Sequence, residues 1–243
     1  METSRPLIIT PTFNDRENIE SFSHAVRDIL PTADLLIVDD ASPDGTGKQV
    51  EHMIRQDARI HLLHRRRKEG LGRAYVAGFS WALEHPYSHI LQMDADFSHD
   101  PKDLPRLLQA ANAFDVVIGS RYIGGVRILN WPLRRLILSY AAGIYVRTLT
   151  RMPIMDPTGG YKCFRRDVLE AINLTHIAAD GYGFQIEMNY VAWRLGFRLH
   201  EEPIIFADRI AGFSKMSLAI AWEAIWLVLK LAFIRKKSKH CCS

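Results

Sequence analysis

Leu91-Gln92-Met93-Asp94-Ala95-Asp96-Phe97-Ser98-His99 joins an apolar run to two carboxylates spaced two residues apart. On an extended backbone such residues point the same way, with α-carbons roughly 6.5 Å apart. Two acids therefore face one point where a buried strand ends, and like charges placed so need a cation or a proton between them. Mg2+ suits the pair, because it is commonly held by one or two carboxylates together with substrate phosphate oxygens. The plainer alternative is an Asp-rich turn that closes a strand, and the rest of the chain bears on the choice.

Outward from this stretch, residues 7–12, 34–40, 59–64, 89–93 and 115–119 read as five short apolar strands. Helical patterns lie between them, from the cap candidates Asn14 and Asp15 to about Leu30, then to about Gln56, over 72–84, and from Pro101 to about Asn112. Continuous apolar strands alternating with helices predict an α/β fold, a single Rossmann-like domain with a mostly parallel central sheet. Ligands of such sheets bind beyond the carboxyl ends of the strands. Pro11, Asp39, Asp94, Asp96 and Arg121 all fall there. After Tyr122 the alternation stops. Residues 123–130 read as loop, 131–150 as a long helix apolar over much of its circumference, and 155–160 as a turn. A short strand over 161–164 and helices over 166–172 and 182–195 follow, then strand material over 197–206 interrupted by Glu201-Glu202-Pro203.

The chain has 243 residues, 48% hydrophobic and 24% charged, a globular composition. Its net charge of +4 is uneven, with basic clusters at 64–68 and 235–239. They point to phosphate or an anionic membrane surface, and no nucleic-acid module accompanies them, so no nucleic-acid partner is expected. Cys163, Cys241 and Cys242 form no disulfide framework, which fits a reducing compartment, and no signal peptide is expected before the first strand. Hydride transfer is disfavoured because no G-x-G-x-x-G follows that strand. Gly45-Thr46-Gly47-Lys48 is an incomplete phosphate loop, with Gln49 where Ser or Thr is required. Residues 217–234 are strongly apolar, but Glu223 and Lys230 share one helix face, and each would cost about 2.5–3.5 kcal/mol near mid-membrane. The expectation is a helix lying on the membrane, with the basic tail on lipid phosphates. Docking on the protein's own core is the alternative.

Several motifs, in order, give the chain a family resemblance. Pro11-Thr12-Phe13-Asn14-Asp15-Arg16-Glu17-Asn18 resembles the P-T-Y-N-E-x-E-N opening of family-2 glycosyltransferases, particularly the polyprenol-phosphate (dolichol-phosphate) mannose synthases. Asp39 to Thr46, Leu71 to Tyr75, Asp94 to His99, Gly119 to Tyr122, Gly181 to Met188 and Asp208 to Met216 match further motifs of that family. The resemblance implies a glycosyltransferase-A catalytic domain over 1–216, followed by an amphipathic membrane-associating helix and basic tail over 217–243. It implies inverting transfer of mannose from GDP-mannose to a polyprenyl phosphate. It places Pro11, Phe13, Asp15, Ile37 and Asp39 on the nucleoside, and Asp94, Ala95 and Asp96 on the diphosphate. Asp94 and Asp96 would ligate Mg2+ or Mn2+. Arg121, Arg209 and Lys215 would contact donor or acceptor phosphates, Arg135 the lipid phosphate, and Asp96, Arg121 and Arg209 form the catalytic set. Phe13 and Asp15 depart from the family's Tyr and Glu. The chain would work peripherally on the cytoplasmic face of a membrane, unaided or through a separate membrane-anchoring partner. The rivals are another nucleotide sugar, such as UDP-glucose with undecaprenyl phosphate, and a catalytically silent lipid- or nucleotide-binding subunit.

Overall fold

The structure is a computed structural model that describes residues 5–177, 179–208 and 225–233. The first half alternates strictly: β1 (Pro6–Thr12), α1 (Arg16–Ile29), β2 (Asp34–Asp39), α2 (Thr46–Ile54), β3 (Ile60–His64), α3 (Leu71–Leu83) and β4 (His89–Gln92). A 3-10 turn (Pro101–Asp103) then leads into α4 (Leu104–Ala110) and β5 (Val116–Ser120). The second half holds β6 (Ile128–Leu129), α5 (Leu133–Thr150), β7 (Lys162–Arg165), α6 (Arg166–Ala171), α7 (Gly181–Arg194), β8 (Leu199–Pro203) and β9 (Phe206–Ala207).

Seven strands form one sheet in the order β3-β2-β1-β4-β7-β5-β8. All neighbours are parallel except β7, which runs antiparallel to both β4 and β5. The strand order reverses between β1 and β4, so the loops after these two strands border the crevice where such sheets take ligands. Because β7 runs backwards, its entry turn at Gly159-Gly160 reaches that same edge. Apolar side chains fill both sheet faces. Ile8, Phe22, Ile37, Leu91 and Leu104 pack under α1 and α4, whereas Ile9, Leu36, Phe79, Phe164 and Phe184 pack under α3 and α7.

Four sequence expectations change. The acids are not on β4, which stops at Gln92; they sit in the following turn, where Phe97 adopts φ 57°. β8 runs unbroken through Glu201-Glu202-Pro203. It is the last strand of the sheet, so a proline without an N–H costs no ladder bond there. Its Glu201 carboxylate accepts from the backbone N–H groups of Met155 and Asp156, at 2.7 and 2.8 Å. The expected loop before α5 contains β6, which pairs in parallel with β9. Finally, residues 225–233 are helical and dock on the protein's own core, burying Val228 and Leu231. The Tyr145 and Tyr190 hydroxyls donate to the Ile225 and Leu231 carbonyls at 3.2 and 2.9 Å. The rest of the expected C-terminal helix and tail lies outside the described residues. The docked helix still exposes Trp226 and Phe233, and α5 exposes Leu133, Ile137, Leu138, Tyr140 and Ile144. Among the described residues, no helix is long and apolar enough to cross a membrane.

Candidate active site

Asp94 and Asp96 are partly exposed while Ala95 between them is buried, and both acids act on the same two neighbours, Tyr75 and His99. Each is oriented by a hydroxyl. Tyr75, buried on α3, donates to Asp94 Oδ1 at 3.2 Å. Ser98 donates to Asp96 Oδ1 through its backbone N–H (3.0 Å) and its hydroxyl (2.6 Å). Burial and the neighbouring Asp94 raise the Tyr75 phenol well above its ordinary value, so it stays a donor. The Asp94 N–H points to His99 Nδ1 at 3.5 Å. Burial lowers the His99 pKa against the pull of Asp94 and Asp96, which favours a neutral acceptor. Among the described residues no cluster of three or more Asp, Glu, His or Cys is built to hold a metal. The donors present, two ionisable carboxylates at the crevice, fit a hard divalent ion whose other positions are filled by phosphate oxygens and water.

The loop after β1 and the end of β2 form the second part. Asp39 is fully buried; its Oδ1 accepts from Thr12 Oγ1 (3.3 Å) and Ser42 Oγ (2.5 Å), and its Oδ2 accepts from Ser42 N (3.2 Å) and lies 3.3 Å from His64 Nδ1. Asp15 sits at the N-cap of α1, but its carboxylate turns back to accept from the Phe13 N–H at 2.8 Å, which fixes that loop. Lys68 Nζ lies 3.7 Å over the Phe13 ring. Arg65, from the basic cluster, pairs with Asp40 and Glu69 and so is not a loose surface cation. Burial raises the Asp40 pKa, partly offset by Arg65. The Ile37 and Ala95 side chains are buried in the core cluster beneath the crevice.

The third part is a wall of cations and aromatic rings. Arg121, just past β5, is buried rather than presented to solvent. Its Nε and Nη2 donate to the two oxygens of Asp156 at 2.7 and 2.6 Å, and Nη2 also donates to Thr158 Oγ1 at 2.8 Å. Burial opposes the charge on both groups, but their mutual attraction outweighs it, raising the Arg121 pKa and lowering that of Asp156. Arg121 and Arg135 approach Trp131 at 5.7 and 3.9 Å, and Arg135 makes a two-pronged pair with Asp208 at 3.0 and 3.1 Å. Phe206 packs against both Trp131 and His99, which ties this wall to the acid pair. Arg209 and Lys215 lie outside the described residues.

Sequence reasoning did not single out Tyr75 or Asp156 as site residues. Tyr75 stood inside a recognised motif, but a helix face is needed to aim it. Asp156 carried no signal beyond a turn.

Comparison with known proteins agrees with this architecture. Residues 7–172 match the model of glycosyl transferase family 2. The undecaprenyl-phosphate mannosyltransferase of Micrococcus luteus is 46% identical over 221 residues, covering 91% of each chain. The polyprenol monophosphomannose synthase of Mycolicibacterium smegmatis is 46% identical over 228 residues, covering 93% of this chain and 86% of that one. Among solved structures, glucosyl-3-phosphoglycerate synthase from Mycobacterium tuberculosis, in complex with Mn2+, UDP and glucosyl-3-phosphoglycerate, superposes with a TM-score of 0.66 at 16% identity, covering 94% of this chain and 80% of that one. A mannosyltransferase from Pyrobaculum calidifontis with GDP-Man and Mn2+ gives a TM-score of 0.58 at 16% identity, covering 100% of this chain and 77% of the other. The chain belongs to glycosyl transferase family 2 and has the glycosyltransferase-A fold.

Proposed function

We propose that this family-2 glycosyltransferase transfers mannose from GDP-mannose to a polyprenyl phosphate with inversion, giving polyprenyl phosphate β-mannose. The observation that carries the reading is the oriented Asp94–Asp96 pair at the strand-order switch, in a chain 46% identical to two enzymes named for polyprenyl-type mannosyl transfer. Asp94 and Asp96 would hold Mg2+ or Mn2+, which when bound neutralises charge on the departing diphosphate. The loop around Phe13, Asp15 and Asp39 holds the nucleoside. The acceptor phosphate is already an anion near neutral pH. One of its oxygens attacks the anomeric carbon, the bond from that carbon to the β-phosphate oxygen breaks, and the electron pair leaves with GDP. No strong general base is needed.

Arg135, together with Arg209 and Lys215, would draw the acceptor phosphate in. Arg121, fully engaged by Asp156, acts by holding Trp131 and the wall in place. The exposed apolar residues of α5 lie among Arg134, Arg135, Arg147 and Arg151, with no acid in the helix. That composition suits the surface of an anionic bilayer. It supports a peripheral position on the membrane, proposed at the cytoplasmic face beside the lipid substrate.

The test is transfer of labelled mannose from GDP-mannose to a short polyprenyl phosphate, with Mg2+, Mn2+ or EDTA. Metal-dependent label in the lipid phase supports the reading. Transfer from UDP-glucose alone would keep the chemistry and overturn the donor. No transfer from any donor would leave the silent-subunit alternative standing.

A further inference from the structure

The face of α7 turned to the sheet carries polar side chains where an apolar helix face would pack better. Gln185 and Asn189, one turn apart, are 3% and 0% exposed and are flanked by the buried Phe184, Ile186 and Met188. Opposite them, Gln92 of β4 and Lys162 of β7 are register partners, both fully buried. The group is incompletely satisfied. Lys162 Nζ donates to the Gln185 backbone carbonyl at 3.1 Å, and Asn189 Nδ2 to the Pro157 carbonyl at 3.1 Å. Gln185 Oε1, Asn189 Oδ1 and both amide atoms of Gln92 have no hydrogen-bond partner among the described residues. Each such buried group costs about 1–3 kcal/mol, so a cluster of them calls for an occupant.

One of these side chains reaches the crevice. Gly160 lies between it and the acid pair: a Cβ built there would stand 3.6 Å from Gln185 Nε2, 3.7 Å from His99 Cε1 and 4.0 Å from Asp94 Oδ2. The missing side chain thus leaves a gap bounded by the Gln185 amide, His99 and Asp94. Gln185 is anchored from behind, since its own carbonyl holds Lys162. The amide atom facing the gap is Nε2, a donor, while Oε1 is the atom without a partner among the described residues. An ionised phosphate only accepts, so it could take Nε2 but would leave Oε1 unmet; a hydroxyl, which donates and accepts, can serve both ends of the amide.

We propose that Gln185 is a specificity-determining residue of the donor site, whose side-chain amide hydrogen-bonds a hydroxyl of the transferred sugar in the Gly160 gap beside Asp94. The inference rests on the nucleotide-sugar reading of the site. Sugar epimers and deoxy sugars differ in where hydroxyls stand, so one fixed amide against the ring discriminates among them.

The experiment is calorimetric binding of GDP, GDP-mannose and a series of GDP-monodeoxymannoses, all with Mn2+, to wild type, Gln185→Leu and Gln185→Ala. The expected result is about a tenfold or greater loss of GDP-mannose affinity in both variants, with GDP affinity within twofold of wild type. One monodeoxy donor should bind wild type and variants alike, which identifies the hydroxyl. Gly160→Ala, which puts a methyl into the gap at ordinary contact distances, should weaken GDP-mannose and spare GDP while Gln185 remains. Equal loss of GDP and GDP-mannose would overturn the proposal, since it would make Gln185 a metal, diphosphate or folding residue. Unchanged affinities would overturn it too. If wild type binds another nucleotide sugar instead of GDP-mannose, the mannose reading fails by itself. The same comparison with that sugar's deoxy analogues then decides the role of Gln185.

Discussion

Replacing Asp156 with Asn isolates the ion pair that supports the cationic wall. The carboxylate is fully buried and accepts from the Arg121 backbone N–H (3.0 Å), Arg121 Nε (2.7 Å) and Arg121 Nη2 (2.6 Å), so the amide leaves a buried guanidinium without its counter-charge. Breaking one side of such a pair costs about 3–5 kcal/mol, a large share of the roughly 5–15 kcal/mol that holds a domain together. Equilibrium urea unfolding followed by tryptophan fluorescence measures it. Replacing both partners with apolar residues, Arg121→Met with Asp156→Leu, should recover most of the loss, because no uncompensated charge remains. The pH dependence has a definite sign. Asp156 has a folded pKa below its ordinary 3.8 because Arg121 outweighs the effect of burial. Its stabilisation is therefore complete above the unfolded value and is lost as pH falls through the folded pKa, so the wild-type and Asp156→Asn stability curves should converge in acid. A loss under about 1 kcal/mol in Asp156→Asn, or single-variant losses that simply add in the double variant, would refute the reasoning.

Asp94→Ala and Asp96→Ala should each lower mannosyl transfer by about a hundredfold or more while leaving the fold intact, read as initial rates beside circular dichroism. Because the described residues hold no cluster of three or more metal-ligating side chains, Mn2+ alone should barely move the melting temperature, whereas Mn2+ with GDP should raise it by several degrees. A clear shift with metal alone would show a site the two carboxylates do not explain. Tyr87→Phe removes a 2.7 Å hydroxyl bond to the buried Asp34 carboxylate and should cost about 1.5–3 kcal/mol in urea unfolding. Ile137→Asp with Leu138→Asp should cut co-flotation with anionic vesicles about tenfold at unchanged stability, since both side chains are exposed on α5. Equal flotation would remove α5 from the membrane contact.

Much of the fold was legible because it follows from local patterning. Runs such as Leu35-Leu36-Ile37-Val38 alternate with amphipathic helices, and that alternation dictates parallel strands with ligand-binding loops at their carboxyl ends. The same alternation puts Asp39, Asp94, Asp96 and Arg121 at one edge. Short-range periodicity cannot report what happens across the sheet. The antiparallel entry of β7, which brings Gly160 beside Asp94, depends on a pairing between β4 and β5 that no local signal encodes. Charge in a sequence likewise does not say whether it is spent: Arg121 reads as a free phosphate ligand until Asp156, 35 residues away, is found holding it. The apolar C-terminal stretch has the same composition whether it meets lipid or protein, and only packing shows Val228 and Leu231 seated in the core while Trp226 and Phe233 face outward. Sequence determined the chemistry available to this protein through residue type and local spacing. Tertiary structure decided which groups remain unsatisfied, because that is set by partners distant along the chain.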